Sequence, residues 1–190
     1  MSRAGTETRA RVVESAKERM RRHGVAATSM LEAIADAGAP RGSLYHYFPG
    51  GKAQLIEEAT ATACEEYETA FALLENLDAT EAIPAMLAYW RDQVEATDYS
   101  AGCPVAAAAL SGDETEGARA HAGRGFTTWT GSIEKMLLTS GVPPARAGAL
   151  ASLILSAIEG AVIVSLAQRS TEAMEQAAAE LLHIVESARA

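Results

Sequence analysis

Residues 28–52 read TSMLEAIADAGAPRGSLYHYFPGGK. Met30, Ala33, Ile34 and Ala37 recur at the spacing of one helix face. Thr28 or Ser29 offers a hydroxyl to cap that helix, and Gly38 ends it after about two turns. Pro40 then stands where a first helical position is expected, since its missing N–H costs nothing there. A third helix follows over about residues 40–48. Two short helices joined by a tight glycine turn form the helix-turn-helix pattern. Upstream, Val12, Val13, Ala16 and Met20 mark an amphipathic helix over roughly 6–23, stopped by Gly24.

Steps of 100° per residue sort the third helix into two faces. Leu44, Tyr47 and Phe48 fall together and are expected to face the first two helices. Gly42, Tyr45 and His46 fall opposite, flanked by Arg41 and Ser43. Gly42 permits close approach to a surface. Arg41 can pair with phosphate or fork onto guanine, and Tyr45 can reach a phosphate oxygen or a thymine methyl. The pair Gly50-Gly51 then opens a fourth helix, whose free N–H groups and Lys52 can hold a phosphate. This face points to double-stranded DNA as the partner.

Composition agrees with an all-α chain. Its 190 residues are 48% hydrophobic, only 5% aromatic and rich in alanine, the best helix former. The net charge of −9 argues against indiscriminate coating of nucleic acid. Residues 1–55 nevertheless hold nine Lys or Arg against five Asp or Glu, a balance of +4 that leaves −13 for the remainder. That asymmetry suggests a small module facing a polyanion and a larger body with another task. The expected division is 1–51 for the helix-turn-helix domain and 52–190 for the body. The two cysteines, Cys64 and Cys103, are far apart and in no metal-like spacing. No HExxH, GxSxG, P-loop or CxxC motif occurs, so no catalytic residue, metal or cofactor is expected. The first twenty residues contain no apolar core of a signal peptide, and a cytoplasmic location is the simpler expectation.

The run from Thr28 to Lys52, with RVVESAKERMRRHG upstream, strongly resembles the DNA-binding domain of the tetracycline-repressor (TetR) family. The resemblance covers about residues 9–56. It implies an all-helical homodimer whose N-terminal three-helix domain binds a palindromic operator. A C-terminal helical domain would dimerise, bind an apolar or amphipathic small molecule and control operator affinity, usually for repression. Carried onto this chain, the resemblance gives Thr28 the cap of the second helix and a phosphate contact. It sets Arg41, Gly42 and Ser43 near bases, Tyr45 and His46 near phosphates and base edges, and Lys52 on a phosphate. Two departures stand out. Pro40 replaces a common serine, and the loop before Lys52 is one residue longer. Both features, with GCPV at 102–105, resemble the subgroup typified by lincomycin-resistance repressors.

The body reads as further helices: 52–76, 80–97, a short one at CPVAAAAL, 116–140, 144–169 and 171–188. The first of these is long enough to serve both parts of the chain. Residues 147–167 carry a single charge, Glu159. The length could span a bilayer, but alanine, glycine and serine dilute it and a mid-segment carboxylate is costly in lipid. A buried or interface helix is the better reading. Leu150, Leu153, Ile154, Ala157, Ala161, Val164, Leu181 and Val185 are candidates for a four-helix dimer interface. Met86, Trp90, Cys103, Phe126, Trp129 and Ile133 are candidates to line a ligand cavity. Glu159 needs a partner, which a cationic ligand, an arginine across an interface or water can supply. The rival readings are an all-α adaptor or ligand-binding protein, a transcriptional activator with the same DNA contacts, and a small enzyme using Glu159 or His121.

Overall fold

The computed structural model describes residues 3–189 and contains no strand among them. Its helices are α1 (Arg3–Ala27), α2 (Met30–Asp36), α3 (Leu44–Tyr47), α4 (Gly51–Leu74), α5 (Ala79–Ala96), α6 (Pro104–Ala109), α7 (Glu116–Thr139), α8 (Pro144–Gln168) and α9 (Glu172–Arg189). Two compact units gather these elements. One comprises the chain to Glu66 with Cys103–Gly125, and the other comprises Tyr67–Gly102 with the chain from Phe126. The first unit is therefore larger than the 1–51 module, because it includes the first part of α4 and the short α6, which packs on α1.

In the first unit, α1 buries Val12, Val13, Ala16 and Met20, the stripe expected from spacing. Gly24 has φ 74° and ψ 170°, so the helix breaks there as expected, but helical backbone resumes through Ala27. Ser29, rather than Thr28, caps α2, accepting from Glu32 N at 3.5 Å. The Thr28 hydroxyl donates back to Gly24 O at 2.8 Å, and the residue is buried. Gly38, at φ 66°, ends α2 in the left-handed conformation that glycine adopts without strain. Pro40 lies one step outside the helix expected at 40–48. Its extended backbone (ψ 136°) leads into a 3₁₀ turn, Arg41–Ser43, which passes directly into α3.

In the second unit, α5, α8 and α9 pack on one another. Helix α8 is long and apolar enough to cross a membrane. One of its faces is nevertheless buried in the unit, through Leu150, Ile154, Leu155, Ile158 and Val162. Asp78 ties the ends of two helices together. It caps α5 by accepting from Thr80 N at 2.9 Å, and Arg189 at the end of α9 donates to both carboxylate oxygens at 2.8 Å. The Arg189 guanidinium, helped by Thr80, holds the Asp78 carboxyl well below the usual carboxylate range. Asp78→Ala is expected to cost about 1 kcal/mol through the lost cap, measured as a lower urea midpoint at pH 7. A depressed carboxyl stabilises fully above its unfolded value of about 4 and loses that contribution as pH falls towards the folded value. The gap between parent and variant should therefore close below about pH 4.

Candidate functional site

The third helix and the turn before it present the expected two faces. Leu44 and Phe48 are buried, with Phe48 fully enclosed, and Tyr47 is half-buried. Arg41, Gly42, Tyr45 and His46 are exposed, Tyr45 at 72%. Among the described residues the Arg41 guanidinium and the Tyr45 hydroxyl have no partner, so both are available to one outside the chain. The His46 ring leans on that of Tyr47, with centroids 5.5 Å apart. Ser43 donates its hydroxyl to Pro40 O at 2.6 Å, leaving its oxygen as an acceptor.

Two expected phosphate contacts are placed differently. Thr28 is only 2% exposed and its hydroxyl proton is committed to Gly24, so it offers no free donor at the surface. Lys52 is at the start of α4, and its Nζ donates to Ala26 O at 2.8 Å. The extra loop glycine shapes this start. Gly51 adopts φ 68° and donates its N–H to Phe48 O at 2.9 Å. The Gly50 N–H goes to Gln54 Oε1 at 2.8 Å. Two N–H groups expected to be free for a phosphate are thus used locally, while the ammonium of Lys52 keeps donors to spare after its bond to Ala26.

The positive balance of the first 55 residues is also largely spent inside the unit. Arg19 pairs with Glu32 and Asp36, Lys17 with Glu14 and Glu66, and Arg21 and Arg22 with Glu18. The Asp36 carboxyl is held below its ordinary range, chiefly by the Arg19 hydrogen bond. Sequence reasoning missed the role of Arg9. Its Nε donates to Tyr47 O at 3.3 Å, its guanidinium pairs with Glu58, and its Cζ lies 4.9 Å from the Phe48 ring centroid. One side chain therefore ties α1 to the end of α3 and to α4.

The second unit contains a cavity of about 210 Å³. Met86, Trp90, Trp129 and Glu159 line it, as expected. Its other walls include Tyr67, Phe71, Tyr89, Leu155 and Ile158, which had not been singled out as ligand contacts. Three candidates lie elsewhere. Cys103 caps α6, its sulfur accepting from Ala106 N at 3.4 Å. Phe126 meets Trp129 edge to face at 5.3 Å without lining the cavity. Ile133 is core, only 1% exposed. Glu159 Oε2 is shielded from solvent, and Trp129 Nε1–H is buried with no acceptor among the described residues.

The expected interface residues also divide. Leu150, Ile154, Ala161, Leu181 and Val185 are buried within the chain, because their stripes pack the helices of the unit on one another. Leu153 and Val164 are exposed, Ala157 is half-buried, and the unexpected Ile163 is 56% exposed beside them.

The domain described as bacterial regulatory proteins, tetR family, matches residues 12–59. The domain described as transcriptional regulator LmrA/YxaF-like, C-terminal, matches residues 79–180. The uncharacterized HTH-type transcriptional regulator Rv0196 of Mycobacterium tuberculosis is 38% identical over 85% of each chain. The uncharacterized HTH-type regulator YxaF of Bacillus subtilis is 31% identical, over 86% of this chain and 87% of its own. Among solved structures, a TetR-family regulator from Cytophaga hutchinsonii superposes with a TM-score of 0.82 at 16% identity, over 99% of this chain and 98% of that one. At that identity it supports the fold alone.

Proposed function

Since the chain belongs to the TetR family of transcriptional regulators, with a C-terminal domain of the LmrA/YxaF type, we propose that it binds a palindromic operator as a homodimer and is released by a small molecule held in the second unit. The observation that carries the DNA reading is the exposed face of Arg41, Gly42, Tyr45 and His46 on a helix whose opposite face is buried. Arg41 and Tyr45 supply the direct contacts, Gly42 the close approach, and Ser43 and His46 the flanking polar groups. Lys52 contributes charge from the start of α4. Thr28 acts beneath the surface, bracing the turn before α2. In this reading the helix-turn-helix function belongs to residues 1–51, and ligand binding and dimerisation to 52–190.

The dimer reading draws on the exposed row Leu153, Ile163 and Val164 along α8, with Ala157 beside it. An apolar row on a near-charge-free helix is better covered by a second copy than left in water. The same covering accounts for the apolar length of α8 without a membrane. A cytoplasmic repressor follows, with no catalytic role assigned.

The test is binding to the DNA upstream of its own gene at several salt concentrations. The expected results are two chains per duplex and a log–log salt slope steeper than about −4, since each phosphate neutralised adds about −0.9. A flat slope, or equal affinity for unrelated DNA, would remove the operator reading. One chain per duplex would remove the dimer.

A further inference from the structure

We propose that Gln54 is a positioning residue for operator recognition, because its amide closes a polar circuit that holds α3 and the loop after it on α1 and α4. This rests on the operator reading for its DNA readout and adds to it what sets the recognition face. Gln54 and Glu58 stand four residues apart on α4 and so share a face. The Gln54 carbonyl oxygen accepts from Gly50 N–H at 2.8 Å, and its amide nitrogen donates to Glu58 Oε1 at 2.9 Å. The Glu58 carboxylate pairs with the Arg9 guanidinium of α1, and Arg9 Nε donates to Tyr47 O at 3.3 Å. Three side chains thus join the two ends of the loop at 47–50. Reversing the Gln54 amide would set donor against donor at Gly50 and oxygen against oxygen at Glu58, so the two bonds fix one another. The circuit ends on the carbonyl of Tyr47, the last residue of α3. It therefore acts on the turn that carries Tyr45 and His46 from the side away from DNA.

Gly50 makes room for this arrangement. A Cβ there would stand 3.1 Å from the Gln54 Cβ and 3.2 Å from its Oε1. Gly51 serves a different need, its φ of 68°. Both glycines of the loop therefore have a structural cause. The simpler role for Gln54 is a cap, an acceptor for one N–H at the start of α4. A carboxylate serves that role at least as well as an amide, because the helix N-terminus favours negative charge. The circuit asks for more, since residue 54 must also donate to Glu58. An ionised glutamate cannot donate, and it would set two carboxylates side by side. Only the circuit explains an amide at this position.

The test compares Gln54→Glu, which keeps the acceptor and loses the donor, with Gln54→Met, which loses both. Circular dichroism melting confirms that each variant folds. Anisotropy with the operator duplex and with an unrelated duplex reads affinity. Both variants are expected to bind the operator about tenfold more weakly or worse. Gln54→Met should keep parental affinity for the unrelated duplex, because every basic side chain remains. Residue-resolved amide exchange tests the circuit without DNA. In Gln54→Glu the Gly50 N–H should stay protected while residues 44–48 exchange faster. In Gln54→Met both should exchange faster. Combining Gln54→Met with Arg9→Ala should cost no more operator affinity than Arg9→Ala alone, since one circuit breaks once. Parental operator affinity or parental exchange at 44–48 in Gln54→Glu would leave Gln54 a helix cap and overturn the proposal. Equal losses on both duplexes in Gln54→Met, or single losses that multiply in the double variant, overturn it as well. Should the parent itself show no preference for the operator, the operator reading falls, and the exchange pattern alone decides the circuit.

Discussion

Arg41→Glu is expected to lower operator affinity by about a hundredfold or more, while the thermal unfolding curve stays where it is. A good arginine contact with a base or phosphate is worth about 1–3 kcal/mol, and a symmetric dimer loses two of them. The new carboxylate adds repulsion from the phosphate backbone. Stability should hardly move, because Arg41 is exposed and makes no ion pair among the described residues. Surface changes of that kind stay within about 0.5 kcal/mol. Fluorescence anisotropy with an operator duplex reads the first quantity, and circular dichroism melting reads the second. The variant should also show a shallower salt slope, since phosphate neutralisation is lost with the guanidinium. Parental affinity in Arg41→Glu would mean that the exposed face is mere surface, as the adaptor reading requires.

What the sequence made legible was local and periodic. The two faces around the third helix came out correctly although only Leu44–Tyr47 is α-helical, because over so few residues the 3₁₀ turn at Arg41–Ser43 and the residue after the helix depart little from a 100° step. Gly38 marked a real stop because it needs φ 66°, which glycine alone adopts at no cost. Where choices depended on neighbours, the reading was less secure. Thr28 and Ser29 are adjacent hydroxyls, and only the backbone path after Gly24 makes Ser29 the cap and turns Thr28 inward. The basic residues of α1 looked available to a polyanion, yet most face acids on the same helix or on α2 and α4. The stripes on α8 and α9 were apolar for two different reasons. Leu150 and Leu181 fill the unit, and Leu153 and Val164 are left outside it, and periodicity cannot separate these before the packing is known. Tyr67 and Phe71 stand four residues apart on α4, a spacing that core residues and cavity walls share. Which aromatic residues border a void is decided by the helices opposite them.

Arg9→Ala is expected to disable DNA binding from beneath the reading face, without removing any group that touches DNA. Helix α3 is a single turn of four residues, too short to persist by its own hydrogen bonds. It depends on its anchors, Leu44 and Phe48 on the inner side and Arg9 at its end. The Arg9 guanidinium caps the Tyr47 carbonyl, where the helix leaves an acceptor unsatisfied, and lies against the Phe48 ring. It also pairs with Glu58 on α4, with both side chains about one quarter exposed. A partly exposed ion pair contributes up to about 1 kcal/mol and a cation–π contact about as much, so the first unit should lose roughly 2 kcal/mol. Opening of α3 then becomes far easier than global unfolding. Amide exchange at residues 44–51 should accelerate selectively, and operator affinity should fall about tenfold or more even below the unfolding temperature. Arg9→Lys keeps the charge but not the planar fork that serves the carbonyl and carboxylate together, so it should rescue the Glu58 pair better than the order of α3. A uniform increase in exchange across the first unit would mark Arg9 as general cement. Unchanged exchange at 44–51 with parental DNA affinity would show that the inner packing of Leu44 and Phe48 holds the recognition turn alone.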